Sequence, residues 1–297
     1  MILQVIILSA LVGFHYRHVL YRLVHVWSNS GDWSHGFIIP LFSLYYLHIQ
    51  QDRRPIGLNQ KSVISRTIGA AILAFGFALF VTSTLTKMEY PKAVSLVVTI
   101  MGVVLMVCNW PTARWSWFAV AFLLFALPLP VRIYVQMTMP LQLIAAKVSA
   151  ALLSTSIPDM LAESKGTLVE YFYQGKPGTL DIERACSGIR LMMTMMALGV
   201  AMAFVSERPV WQRMVMILSC VPIAIFCNIV RVTTTGFFFV LGHEEWARGF
   251  WHTMLGLGML AIAFSLFGAI SYVLNHLFEE TDPERQVKAL AAEGAIQ

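Results

Sequence analysis

Apolar and polar positions along this chain separate on the scale of whole helices. Runs free of Asp, Glu, Lys and Arg extend from Trp33 to Gln51, Thr67 to Thr86, Ala93 to Ala113, Trp115 to Val131, Leu191 to Ser206, Met214 to Val230 and Gly249 to Phe278. A helix crossing a bilayer needs about 20 predominantly apolar residues. With the apolar start from Met1 to Phe14, read as a retained first span, the pattern predicts an all-α integral membrane protein of about eight transmembrane helices. The run from Met214 is expected to continue through Arg231 toward Val240, because Arg231 is the only charge in that stretch. Residues 1–278 then form a single polytopic domain, and the polar, Ala-rich residues 279–297 a cytoplasmic tail.

Two places disturb this pattern. His15, Tyr16, Arg17, His18 and Arg22 interrupt the first span early, facing either a polar interior or the interface. The second is the only long connection, Pro128 to Arg184. Pro128, Pro130 and Pro140 break a simple helix near its start, and Leu141 to Ser154 reads as an amphipathic, interfacial helix carrying Lys147. Gly166 to Ile182 then places two β-prone runs around Gln174-Gly175-Lys176-Pro177-Gly178, a hairpin signal. A small extracytoplasmic insertion, amphipathic helix plus hairpin, is expected to lead straight into Cys186.

Composition and charge fix the solvent and the orientation. Hydrophobic residues make up 58% of the chain and charged residues 12%, about half the charged share of a soluble domain, so the lipid bilayer is the expected partner. The formal net charge of +5 does not point to nucleic acid, because Lys and Arg sit in short loops beside apolar runs. Arg53, Arg54, Lys61 and Arg66 crowd one loop, Arg114 lies in the next alternate loop, and Arg208 and Arg213 in a third. The positive-inside rule makes these cytoplasmic. Both termini follow them inside, while Ser28 to Ser34, Lys87 to Lys92, the stretch after Pro128 and His243 to Arg248 face outward. Cys108, Cys186, Cys220 and Cys227 form no CxxC pair, so neither a disulfide framework nor a redox pair is indicated. His243 and His252 lack a partner at ligand spacing, so no metal and no cofactor is expected.

Few polar residues remain for chemistry. Cys186 lies at the outer start of a helix, in Glu183-Arg184-Ala185-Cys186-Ser187-Gly188-Ile189-Arg190. The positive end of the helix dipole favours a thiolate there; the bland reading is a small packing residue. Arg231 follows Asn228 by three residues, on one helical face. Burying such a charge costs roughly 2.5 to 3.5 kcal/mol on insertion scales. No acid lies inside a span to pair with it, which favours a functional arginine able to hold an oxyanion or a carboxylate. His252 opens the last helix on the face of Cys186, as an interfacial anchor or as an acid/base. Thiol, imidazole and guanidinium from three consecutive helices together supply what acyl transfer needs. Arg190, four residues after Cys186, lowers its pKa or snorkels, and His35 caps a helix, gates substrate or anchors the second span.

The segments ACSGIR, NIVR and the WHT helix start, in this order on successive spans, together with the early WSHGFIIP from Trp33 to Pro40, resemble the exosortase and archaeosortase family of membrane transpeptidase-like enzymes. The resemblance covers nearly the whole chain. It implies an enzyme of the cytoplasmic membrane, its site facing outward, that cuts the carboxy-terminal sorting signal of secreted proteins. Such a signal comprises a short PEP-type motif, a transmembrane helix and a basic tail. The cut protein passes to the cell surface or exopolysaccharide matrix. On the matching positions Cys186 would be the nucleophile, Arg231 the arginine and His252 the third polar residue, with the proton donor left open between the last two. The competing readings are a transporter or channel lined by Arg231, and a non-catalytic component of polysaccharide export.

Overall fold

Inside a bilayer no water serves the backbone, so a charge-free segment satisfies its N–H and C=O groups within a helix. The computed structural model describes residues 2–55, 62–181, 188–205, 208–247 and 249–277; the predicted tail 279–297 lies outside them. Helices α1 (Ile2–His15), α2 (Arg17–Asn29), α3 (Ile38–Ile49), α4 (Val63–Leu85), α5 (Glu89–Cys108), α6 (Trp110–Phe122) and α7 (Val131–Ser156) precede strands β1 (Leu161–Lys165), β2 (Leu168–Tyr173) and β3 (Lys176–Asp181). Helices α8 (Gly188–Val205), α9 (Val210–Val240), α10 (Glu244–Ala247) and α11 (Gly249–Leu277) follow.

Five stretches among the described residues are long and apolar enough to cross a membrane: α4, α5, α7, α9 and Thr253–His276 of α11. The expected count of eight is therefore not reproduced. The predicted spans at 33–51 and 115–131 are each divided by a 3-10 helix, Gly31–Phe37 ahead of α3 and Leu123–Ala126 behind α6. At 12 and 13 residues, α3 and α6 reach only about 20 Å at 1.5 Å per residue, short of a hydrocarbon core of about 30 Å. The boundary between α5 and α6 moves for a local reason. Asn109 takes φ 82° and its side chain accepts from the Trp110 N–H at 2.8 Å, ending one helix and capping the next.

The amino-terminal span is also divided. Tyr16 separates α1 from α2, turns inward and is 1% exposed; its hydroxyl bonds Ser95 Oγ at 3.1 Å and Thr99 Oγ1 at 2.9 Å. Its polar neighbours His15, Arg17, His18 and Arg22 stay exposed, and Arg22 pairs with Glu89. Only one of the five interrupting residues thus faces the interior.

The prolines do not break α7 where expected. Pro130 is its N-cap, and the helix runs 26 residues through Pro140 to Ser156. One missing N–H is tolerated because a long, packed helix keeps its remaining bonds. Its buried face is small, with Ala145, Ala146, Ser149 and Ala150, which lets it approach α9 closely enough for Thr233 Oγ1 and Ser149 Oγ to stand 3.0 Å apart.

The expected hairpin exists as β2 and β3, joined by Gln174 and Gly175 with φ of 50° and 76°, as a type I′ turn requires. It belongs to a larger element: β1 pairs antiparallel with β2, giving a sheet of order β1-β2-β3. One face buries Val169 and Leu180 against Leu153, Ile157, Val232 and Val240. The sheet therefore caps the carboxy-terminal ends of α7 and α9. At the opposite end of α9, Arg213 lies over the Phe204 ring, Trp117 and Phe118 flank that ring, and Trp115 donates to the Gln50 carbonyl at 2.9 Å. Among the described residues, Arg53, Arg114 and Arg208 of the loops predicted to be cytoplasmic lie toward this end.

Candidate functional site

The spine of the site is α9. Its buried positions Gln212, Met216, Cys220, Ile223, Cys227, Asn228, Arg231, Thr235 and Gly236 recur at three- and four-residue spacing, one continuous helical stripe. α8, α11 and α7 pack against it. Near the sheet end the stripe turns polar. Asn228 and Arg231 are 5% and 3% exposed, and Arg231 Nη2 donates to Asn228 Oδ1 at 3.0 Å. The sequence spacing places both on one face, and packing buries them together.

Two close contacts fix how the neighbours line up along this spine. Gly199 of α8 lies against Cys220 of α9 so closely that a Cβ at 199 would meet the sulfur at 2.1 Å. α8 and α9 run antiparallel. Gly188, the first residue of α8, lies eleven residues before Gly199, and Arg231 lies eleven after Cys220, about 16 Å in each helix. Arg231 is therefore level with the start of α8, two residues after Cys186.

For α11, the Cys227 thiol donates to the Met259 carbonyl at 3.7 Å. Counting four residues from each, Arg231 stands level with Leu255. Position 252, three residues farther along, lies within one helical turn of that level, about 5 Å. The start of α8, the guanidinium helix and the first turn of α11 thus meet at one height.

Cys186 itself lies outside the described residues, as do the side chains of Arg190 and His252. The main chain of Arg190 is in the first turn of α8 and that of His252 in the first turn of α11. His35 does not cap a helix. It sits within the 3-10 helix Gly31–Phe37, 7% exposed, its ring beside Trp33, with the Asp32 and Phe125 main chains close by. Among the described residues neither ring nitrogen is in hydrogen-bonding geometry. This 3-10 helix packs on α8, held by Trp27, whose indole donates to the Ala126 carbonyl at 2.9 Å. Gly36 lies under that indole, where a Cβ would come within 2.2 Å of Nε1. The early motif thus acts as a packing knot beside the first helix of the site.

Sequence reasoning missed Thr235. It lies four residues beyond Arg231 on the same stripe, 6% exposed, and among the described residues its hydroxyl has no hydrogen-bond partner. Leaving a hydroxyl unsatisfied in a dry setting costs about 1–3 kcal/mol, so the polar stripe is underfilled at this point. The three consecutive threonines after Arg231 were the available signal. Among the described residues Cys108, Cys220 and Cys227 form no disulfide.

The family model described as Transmembrane exosortase (Exosortase_EpsH) matches residues 27–269. No curated protein and no solved structure matches the chain. The matched span takes in α3 to α9, the sheet, Arg231 and position 252.

Proposed function

From the premise that this chain belongs to the transmembrane exosortase family and is a multi-pass membrane protein, we propose that it is a cysteine peptidase and transpeptidase. It cuts the carboxy-terminal sorting signal of secreted proteins at the outer boundary of the cytoplasmic membrane. The observation that carries this reading is the shared height of the α8 start, Arg231 and position 252.

In the proposed cycle the Cys186 thiolate attacks the scissile carbonyl, and the oxygen takes up negative charge. Arg231, held by Asn228, stabilises that oxyanion; an arginine that stays protonated suits this role better than proton transfer. The C–N bond then breaks and His252, whose ordinary pKa lies near neutrality, gives its proton to the departing amine. An acyl-thioester remains. An amine or a water molecule attacks it and gives its proton to the now-neutral His252 imidazole, the C–S bond breaks, and the Cys186 thiolate leaves, which restores the starting pair.

The test is the length of a secreted reporter fused to a tail of PEP-type motif, transmembrane helix and basic segment. Cells with the wild-type enzyme should shorten it, and cells with Cys186→Ala should leave it full length. Equal shortening in both strains would remove the nucleophile assignment.

A further inference from the structure

The sheet between α7 and α8 has two edges, and they are treated differently. In a two-residue hairpin the flanking residues form the hydrogen-bonded pair, and bonded and non-bonded pairs then alternate. In β1 this alternation turns the Ala162 N–H and C=O outward, and Ser154 of α7 meets both. Its Oγ accepts from Ala162 N at 2.9 Å and donates to Ala162 O at 3.3 Å. This edge is closed by a helix.

Among the described residues the other edge is open. Counting from the Tyr173–Lys176 pair beside the turn, Pro177, Thr179 and Asp181 of β3 turn their main-chain groups outward. Pro177 brings no N–H, which blunts the end of the edge nearest the turn. Thr179 is exposed, and among the described residues its outward N–H and C=O meet no partner. Unprotected edges invite pairing with another chain, and proteins normally suppress them. Here one edge is suppressed, and among the described residues the other is left free at its central residue.

The position of the free edge gives it a use. β3 ends at Asp181 and Cys186 follows five residues later, so the thiol is tethered within about 18 Å of the strand end. Alongside the edge, the exposed face carries an apolar row in register across all three strands. Leu161, 73% exposed, faces Phe172, 48% exposed, which faces Pro177. Alternating donors and acceptors beside an apolar row complement one kind of partner, an extended polypeptide with an apolar side chain.

We propose that the outer edge of β3 receives the substrate's main chain as a fourth strand, with Thr179 as its hydrogen-bonded register position, and so delivers the scissile bond to Cys186. This rests on the peptidase reading above. Recognition here is of extended backbone, which leaves side-chain selection to the row ending at Pro177.

Thr179→Pro tests it, because that proline removes the outward N–H while leaving the β2 ladder intact. With the tailed reporter below saturation, Thr179→Pro should slow shortening roughly tenfold, the effect of about one hydrogen bond. Thr179→Val, which keeps the N–H, should stay within about twofold of wild type. A second measurement covers poor accumulation of the proline variant. Wild-type enzyme in lipid nanodiscs is given synthetic tail peptides N-methylated singly at successive residues before the cleavage site. Alternating sensitivity along the peptide is expected. A flat N-methyl profile, or wild-type processing by a well-folded Thr179→Pro enzyme, would overturn the edge assignment. If Cys186→Ala is inactive in the same assays, only this inference falls; if it is active, the peptidase reading falls first.

Discussion

The sulfur of Cys220 occupies the space that a side chain at Gly199 would need. This contact sets both the separation of α8 and α9 and the register that brings the start of α8 level with Arg231. Gly199→Ala must therefore push the helices apart, and the Phe267 ring, 3.1 Å from the added Cβ, blocks a sideways escape. We expect a loss of about 1–3 kcal/mol, seen as a lower melting temperature in detergent. Adding Cys220→Ala should restore much of it. Additive losses would show that the contact does not set the packing.

Arg231 should separate activity from stability. Arg231→Lys keeps the charge but gives up the planar fork that holds Asn228 while presenting further donors. Reporter processing should fall at least tenfold, with the amount of enzyme in the membrane and its melting temperature close to wild type. A variant that processes normally would reduce Arg231 to a structural residue.

Pro140 offers a check on α7. In a continuous helix from Val131 to Ser156, Pro140→Ala restores the bond to the Gln136 carbonyl and relieves the ring's clash with the preceding turn. The melting temperature should rise, with an upper limit of about 3 kcal/mol. If the chain instead broke at 140 and began a new helix at Leu141, the substitution would gain nothing.

The legible and illegible features of this chain divide along a physical line. Charge-free runs revealed α4, α5, α9 and α11, because the cost of exposing backbone to lipid forces such runs into helices. The passage of α9 through Arg231 was visible for the same reason, as was the shared face of Asn228 and Arg231. Helix ends were not, since they turn on single residues: Asn109 at positive φ, Tyr16 reaching two hydroxyls on α5, and the 3-10 helix folded around Trp27 and Gly36.

Strand β1 escaped notice because Leu161-Ala162-Glu163-Ser164-Lys165 is weakly apolar, and its place depends on Ser154 and on pairing with β2. Thr235 was hidden because a threonine in a helix ordinarily bonds the carbonyl one turn back, as Thr234 does to Val230 at 2.7 Å. The levelling of Arg231 with the start of α8 was not legible, because it depends on the contact between Gly199 and Cys220.

That levelling makes residue count a constraint in its own right. Each added residue would advance a helix by 1.5 Å and rotate everything beyond it by about 100°. One insertion between Gly188 and Gly199, or between Cys220 and Arg231, would swing the start of α8 or the Arg231 guanidinium out of the common plane however well the new residue packed. These two stretches should accept changes of side chain far more readily than changes of length.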